Sequence, residues 1–205
     1  MVIKHLLDRI FSFILLVLLS PLFTVIAILI KLDSKGPVLF IQQRVGKDHR
    51  LFDIYKFRTM VPDAVNIGSG VYTEENDPRI TRVGRFLRKT SLDELPQLLN
   101  ILKGEMSFIG PRPTLAYQVE QYNAFQKKRL LMRPGVTGLA QINGRNSISW
   151  PERIEYDVWY VECYSLGLDF KILLKTFLVI FKQEGLYGEK EKFLINGGKK
   201  DTDET

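Results

Sequence analysis

Apolar residues dominate the first thirty positions and then give way to shorter, patterned segments. From Ile10 to Ile30 the chain reads IFSFILLVLLSPLFTVIAILI without a charge, and a run of about 20 apolar residues is what a hydrocarbon core accommodates as helix. The run passes into Lys31, Leu32 and Asp33 with no small-residue cleavage site, so it is expected to stay attached. Ser20 and Pro21 sit at its centre. A proline there lacks an N–H and collides with the carbonyl four residues back, which predicts a kink, and the Ser20 hydroxyl is placed to satisfy a freed carbonyl. Each half spans about 15 Å as helix, roughly half the hydrocarbon thickness. Lys4 and Arg9 precede the run, while Lys31, Lys35, Arg44, Lys47 and Arg50 follow it; positive residues prefer the cytoplasmic face. Both flanks therefore favour one side, and a re-entrant helix-break-helix satisfies both. A kinked spanning anchor and a buried core helix are the alternatives.

Beyond Gly36 and Pro37, VLFIQQRVG and LFDIYKFRTM are rich in Val, Ile, Phe and Tyr and are joined by a polar turn over 46–50, which reads as a β-hairpin. Residues 62–80, with Pro62, Gly68, Gly70, Asn76 and Pro78, have the composition of a loop and are expected to form a mobile flap. Helices are expected over about 81–88 and about 92–102, the second stopping at Gly104. A rigid Gly110-Pro111-Arg112-Pro113 turn comes next. Leu115, Val119, Tyr122, Phe125 and Leu130 then fall at helical spacing, and Pro134 and Gly135 end that run. GVTGLAQINGRNSISW reads as a structured loop. Two further helices are expected over about 151–164 and about 169–183. In the last, Lys171, Lys175 and Lys182 share a narrow arc while Phe170, Ile172, Leu173, Phe177, Leu178, Ile180 and Phe181 cover most of the rest. That pattern suits a helix in the headgroup layer or one packed on a core.

Composition narrows the class. With 205 residues, 45% hydrophobic and 25% charged, the chain can bury one core and carry an appended element. The formal charge of +6 fits an anionic partner: a phospholipid surface, a phosphorylated substrate or nucleic acid. The single cysteine, Cys163, excludes an intrachain disulfide and reads as a small core residue. His5 and His49 lack metal-ligand spacing and read as surface or interface residues. Trp150 and Trp159 fit either an interfacial belt or core packing.

The chemistry concentrates in RFLRKTSLDELPQLLN. Ser91 and Glu94 have capping-box spacing, so the plain reading is a helix start with Asp93 beside its positive end. The neighbours change that picture. Arg82, Arg85, Arg88 and Lys89 precede the pair, and Arg112 follows in its proline-clamped turn. Helix N-terminal amides and guanidiniums together receive phosphate. A carboxylate among cations stays ionised, suited to attack phosphorus or to hold a divalent metal. Neighbours on a helix point about 100° apart, so the two carboxylates are expected to take different tasks.

SLDELPQLLNILKGEMSFIGPRP, with KFRTM, RPGVTGLAQINGR and the Ser20-Pro21 apolar hairpin, closely resembles the monotopic phosphoglycosyl transferases, the bacterial sugar transferase family, from the N-terminus to about residue 183. The resemblance is greatest to the minimal subgroup that transfers phospho-diacetylbacillosamine to undecaprenyl phosphate, without the preceding transmembrane helices of larger relatives. It implies that Asp93 is the nucleophile on the β-phosphate of a UDP-sugar, expelling UMP, and that undecaprenyl phosphate then takes the phosphosugar. Glu94 is implied as dyad partner and Mg²⁺ as cofactor, touching Asp93. Arg88 and Arg112 are implied as phosphate contacts, the latter held by Pro111 and Pro113. Lys56 and Arg58 are implied to meet the lipid phosphate, and Gln141, Asn143 and Arg145 to form a nucleotide-side loop. The implied sugar is N-acetylated.

The expected architecture is α+β and mainly helical. It has a re-entrant membrane hairpin over 1–33, a catalytic domain over 34–190 with a small β-hairpin and interfacial amphipathic helices, and a disordered tail over 191–205. The implied location is the bacterial inner membrane, with the catalytic domain facing the cytoplasm and phospholipids as partners. A membrane-tethered nucleic-acid binder is the rival from another class; no recognised nucleic-acid fold signature supports it, and nucleic acid is not an expected partner.

Overall fold

The bend comes where Pro21 predicts it. In the computed structural model, which describes residues 1–67, 73 and 77–182, helix α1 (Val2–Leu18) and helix α2 (Ser20–Asp33) meet at Leu19 with a 62° bend. Pro21 has no N–H to give Val17, four residues back. The Ser20 hydroxyl donates to that carbonyl instead, at 2.8 Å. No single helix among the described residues is long and apolar enough to cross a membrane; the bent pair passes by length and composition together.

One face of α1 is polar and buried. Lys4, Asp8 and Ser12 follow at intervals of four and turn inward. Lys4 Nζ lies 2.6 Å from Asp169 Oδ2, Ser107 donates to Asp8 at 2.7 Å and Ser12 to the Leu98 carbonyl at 2.5 Å. The far end of α2 is tied to the same body. Asp33 accepts from the Val83 N–H at 2.9 Å, and Arg58 grips the Ser34 hydroxyl and carbonyl. Phe13, Ile14, Val17, Leu18, Val25, Ile28 and Leu29 remain exposed on the outer side.

The hairpin forms as expected. Strands β1 (Leu39–Val45) and β2 (Leu51–Phe57) pair antiparallel, Phe40 opposite Lys56. Phe52 and Ile54 of β2 pack with Leu98, Ile101 and Met106, against Leu15, Leu16 and Phe23 of the bent pair. Helix α3 (Arg82–Thr90) sits so close to the chain after β2 that a Cβ on Gly84 would meet the Thr59 carbonyl oxygen at 2.0 Å. The expected loop over 62–80 is anchored by an isolated bridge between Met60 and Ile80, and by the Asp77–Arg79 ion pair. Its centre at Gly68, Gly70 and Asn76, together with Gln183 and the expected tail, lies outside the described residues.

Four expectations are corrected. The helix over about 92–102 is a 3₁₀ segment, Leu92–Gln97, followed by α4 (Leu98–Lys103); Pro96 cannot donate to Leu92, so the α ladder starts beyond it. The run over 115–130 is broken into α5 (Ala116–Glu120), α6 (Ala124–Lys127) and a 3₁₀ turn, because Asn123 and Gln126 form a capping box that starts a new helix. The supposed loop after Pro134 holds strand β4 (Gly135–Thr137), which pairs in parallel with β3 (Ser107–Ile109), and helix α7 (Leu139–Ile142). Cys163, expected in the core, is exposed. It follows α8 (Trp150–Glu162), and α9 (Leu166–Lys182) closes the described fold. On α9, Asp169 and Ile172 are buried, whereas Phe170, Phe177, Leu178, Lys171 and Lys175 are exposed. Trp150 is half-buried beside the Val45, Val119 and Ile154 cluster, and Trp159 is exposed.

Candidate active site

Ser91 directs the chain into the site. It ends α3 in the left-handed region at φ 57°, ψ 17°, a conformation that costs a residue with a Cβ about 1 kcal/mol or more. The expected capping box is not made. Ser91 offers no side-chain cap and Glu94 reaches away from it. Glu94 Oε1 lies 2.8 Å from Lys56 Nζ and 2.6 Å from one Arg112 terminal nitrogen, while Oε2 faces the other at 3.4 Å. Lys56 comes from β2 and Arg112 from the turn after β3, so Glu94 joins two distant parts of the chain.

The Arg112 turn is rigidly held. Pro111 and Pro113 are buried while Arg112 is exposed. Gly110 and Gly135 approach so closely that a Cβ on Gly135 would meet the Gly110 nitrogen at 2.1 Å. Gly135 N–H donates to the Pro111 carbonyl and Val45 N–H to that of Thr114, each at 2.9 Å. Behind the turn, a buried Arg129 donates to the Arg112 carbonyl at 2.9 Å, to Tyr122 Oη at 2.6 Å and to Asp157. Sequence reasoning missed Arg129 and Asp157. An arginine and an aspartate on separate helical segments carry no local sign that they will meet.

Electrostatics separate the two carboxylates. Burial, and then repulsion from Glu94, push the Asp93 carboxyl up to about 6, against the pull of Lys56, Arg88 and Arg112. Burial would raise Glu94 too, but Arg112 and Lys56 hold it well below the ordinary carboxylate range. Asp93 makes no hydrogen bond or ion pair among the described residues. Cations surround the pair. Burial and the nearby Arg112 lower Arg44 to about 10; burial also lowers Arg145, which Glu94 and Asp93 attract and Arg112 repels. Arg44, another residue missed in the sequence, donates to Gln42 at 2.5 Å. Arg88 bonds the Thr59 hydroxyl at 2.9 Å. Such a surplus of desolvated guanidiniums is set up for a phosphate-bearing ligand.

The structure thus gathers Lys56, Arg88, Asp93, Glu94, Arg112 and Arg145. It does not bring Arg58 into this group: its guanidinium donates to Pro37, Ser34 Oγ and the Ser34 carbonyl. Asn143 donates back to the Leu139 carbonyl at 2.9 Å. The Gln141 amide is buried with neither its oxygen nor its nitrogen bonded among the described residues.

A small mixed fold with an arginine-ringed carboxylate pair beside a bent apolar hairpin defines a class, and the pattern of the bacterial sugar transferases matches residues 1–183. The chain belongs to the bacterial sugar transferase family. EpsL of Bacillus subtilis, named an uncharacterized sugar transferase, is 44% identical over 188 residues, covering 91% of each chain. The UDP-glucose:undecaprenyl-phosphate glucose-1-phosphate transferase of Klebsiella pneumoniae is 45% identical over 190 residues, 89% of this chain and 40% of that one. The undecaprenyl-phosphate galactose phosphotransferase of Salmonella typhimurium is 40% identical over 199 residues, 90% of this chain and 42% of that one. The chain spans about two fifths of the length of these last two relatives.

Proposed function

We propose that the protein transfers a sugar 1-phosphate from a UDP-sugar to undecaprenyl phosphate through a covalent intermediate on Asp93. An Asp93 oxygen attacks the β-phosphorus, the bond to the bridging oxygen breaks and UMP leaves. A phosphate oxygen of the lipid then attacks the same phosphorus and the bond to Asp93 breaks, giving the lipid diphosphate sugar and a free carboxylate. The observation that carries this reading is the asymmetry of the pair. Glu94 is occupied by Lys56 and Arg112, while Asp93 is unpaired and of raised basicity.

Lys56, Arg88, Arg112 and Arg145 bind the diphosphate and stabilise the charge that accumulates on it. Gln141 and Asn143 belong to the nucleotide-side loop; the buried Gln141 amide, which unbonded costs about 1–3 kcal/mol, would gain partners if that loop shifts on nucleotide binding. Arg58 acts on the lipid side by fixing the end of α2. The donor set also fits Mg²⁺. No group of three or more His, Cys, Asp or Glu forms a ready cage among the described residues, but Mg²⁺ commonly takes one or two carboxylates and completes its shell with phosphate and water. Bound to Asp93, it would screen the diphosphate and favour departure of UMP.

The bent pair serves as a re-entrant anchor, placing the site at the cytoplasmic face of the bacterial inner membrane with α9 against phospholipid headgroups. Support comes from the two ends of the pair being tied to one body, through Lys4–Asp169 and through Asp33 and Ser34. The sequence resemblance favours an N-acetylated sugar of the diacetylbacillosamine type, whereas two relatives are named for glucose and galactose; the donor is therefore proposed at the level of a UDP-hexose. Enzyme given a panel of these UDP-sugars without lipid should release up to one equivalent of UMP and gain one sugar phosphate on the Asp93 peptide. Asp93→Asn should lose both. UMP release only in the presence of polyprenol phosphate, with no adduct, would favour direct attack by the lipid and overturn the covalent step.

A further inference from the structure

A second cleft, apolar in its lining and flanked by two arginines, lies at the start of α1. It is an open depression of about 340 Å³ lined by Val2, His5, Leu6, Arg9 and Arg133. None of the charged groups that shift Asp93 or Glu94 belongs to it. Arg133 makes no hydrogen bond and no ion pair within 4 Å among the described residues. Its electrostatic neighbours are Arg9, which repels it, and Asp8, which attracts it but already accepts from Ser107. Among the described residues Arg9 reaches only the Lys103 carbonyl, at 3.5 Å, the limit of a hydrogen bond. Arg9 and Arg133 thus lie near one another beside the cleft, lining it with their apolar stems, and among the described residues neither guanidinium has a carboxylate of its own. Holding them together costs free energy unless an anion joins them.

The surroundings identify the anion. Val2, Leu6, Arg9, Phe13 and Val17 lie within a narrow arc of α1 at 100° per residue, and all five are exposed. An apolar track therefore leads from Arg9 along the helix. A soluble phosphate has no use for such a track; an acyl chain does.

We propose that Arg9 and Arg133 bind the headgroup phosphate of an anionic membrane phospholipid, whose acyl chain lies along Phe13 and Val17. The site is separate from the catalytic one and fixes the depth of α1 in the leaflet. This rests on the reading of α1 and α2 as membrane-embedded.

The test uses the full chain in phosphatidylcholine bilayers with and without phosphatidylglycerol. Phosphatidylglycerol should raise the thermal midpoint of the wild type, and its retention in native mass spectrometry should exceed that of phosphatidylcholine. The Arg9→Gln/Arg133→Gln variant should lose that preference by about tenfold or more, the scale of two charge-assisted hydrogen bonds. Arg133→Lys should fall between the two. Arg50→Gln/Lys127→Gln removes the same charge from exposed positions elsewhere and should keep the preference. Equal preference in the Arg9/Arg133 variant and the wild type overturns the site. An equal midpoint rise from soluble glycerol phosphate overturns its assignment to lipid. Flotation with pure phosphatidylcholine vesicles tests the embedded reading by itself: the Arg9/Arg133 variant should float as the wild type does, and failure of the wild type to float removes both.

Discussion

Arg129→Met should lower stability and activity by separable routes. The Arg129 and Asp157 side chains are 3% and 2% exposed, and removing one partner of a buried ion pair typically costs about 3–5 kcal/mol. For a chain of this size that is a fall of about 6–20 °C in the thermal midpoint. The loss should depend on pH. Burial already pushes Asp157 up to about 6 despite the pull of Arg129, and without Arg129 it must rise further. In the unfolded chain Asp157 titrates near 3.9. Above that value the folded state holds a proton that the unfolded state lacks, so stability falls by about 1.4 kcal/mol per pH unit until the folded pKa is passed. In the wild type this contribution ends near pH 6; in Arg129→Met it continues. The midpoint gap should therefore widen between pH 6 and pH 8, by up to about 2.7 kcal/mol. Arg129→Met/Asp157→Leu removes both charges and should recover most of the stability. It should not recover kcat/KM, because the Arg112 carbonyl still lacks its donor. A pH-independent gap would refute the assigned titration, and full recovery of kcat/KM in the double variant would make the pair merely structural.

With Asp93 pushed up to about 6, the formation rate of the covalent adduct should fall about tenfold per pH unit below that value and level off above it; a flat profile from pH 5 to pH 8 would exclude Asp93 ionisation as the control. Arg112→Lys should reduce kcat/KM by about tenfold or more while leaving the fold intact, since an ammonium cannot reproduce the two-nitrogen grip seen on Glu94. EDTA should abolish UMP release and Mg²⁺ restore it. Replacing Ser20 and Pro21 with Ala and Leu restores the backbone ladder, so a cysteine introduced at Val2 should become labelled from outside intact cells, whereas it is protected in the parent chain.

The features legible in the sequence were those set by neighbouring residues. Pro21 and Ser20 define the break because the missing donor and its replacement lie within four residues of the same carbonyl. The hairpin and the last two helices follow from short-range periodicity. The capping box at Ser91 failed for the opposite reason. Its chemistry is local, but Lys56 and Arg112, 38 and 18 residues from Glu94, offer a charged carboxylate more than a backbone amide does. The parallel pairing of β3 and β4 was invisible because each strand has three residues, too few for a period. Two signals could have been found. Asn123 and Gln126 carry the capping-box spacing that breaks the helix there, and Lys4, Asp8 and Ser12 repeat at four-residue intervals inside an apolar segment, which marks a face turned toward protein rather than lipid.

The local geometry also accounts for why the proposed nucleophile is Asp93 rather than Glu94. In the 3₁₀ segment created by Pro96, successive side chains diverge by about 120°, so the adjacent acids lie in the same field of Lys56 and Arg112 but only Glu94 makes direct bonds to them. Glu94 faces β2 and the Arg112 turn and is held by both; its electron pairs are committed, and the cations that keep it ionised make it a weak nucleophile. Asp93 shares the same burial without those bonds, so it keeps a more basic carboxylate in the same positive field. Each support for Glu94 is itself braced: Lys56 by the β1 pairing opposite Phe40, and Arg112 by Gly135 and Arg129. The framework therefore fixes Glu94, and in doing so leaves Asp93 as the freer carboxylate for the proposed bond to phosphorus.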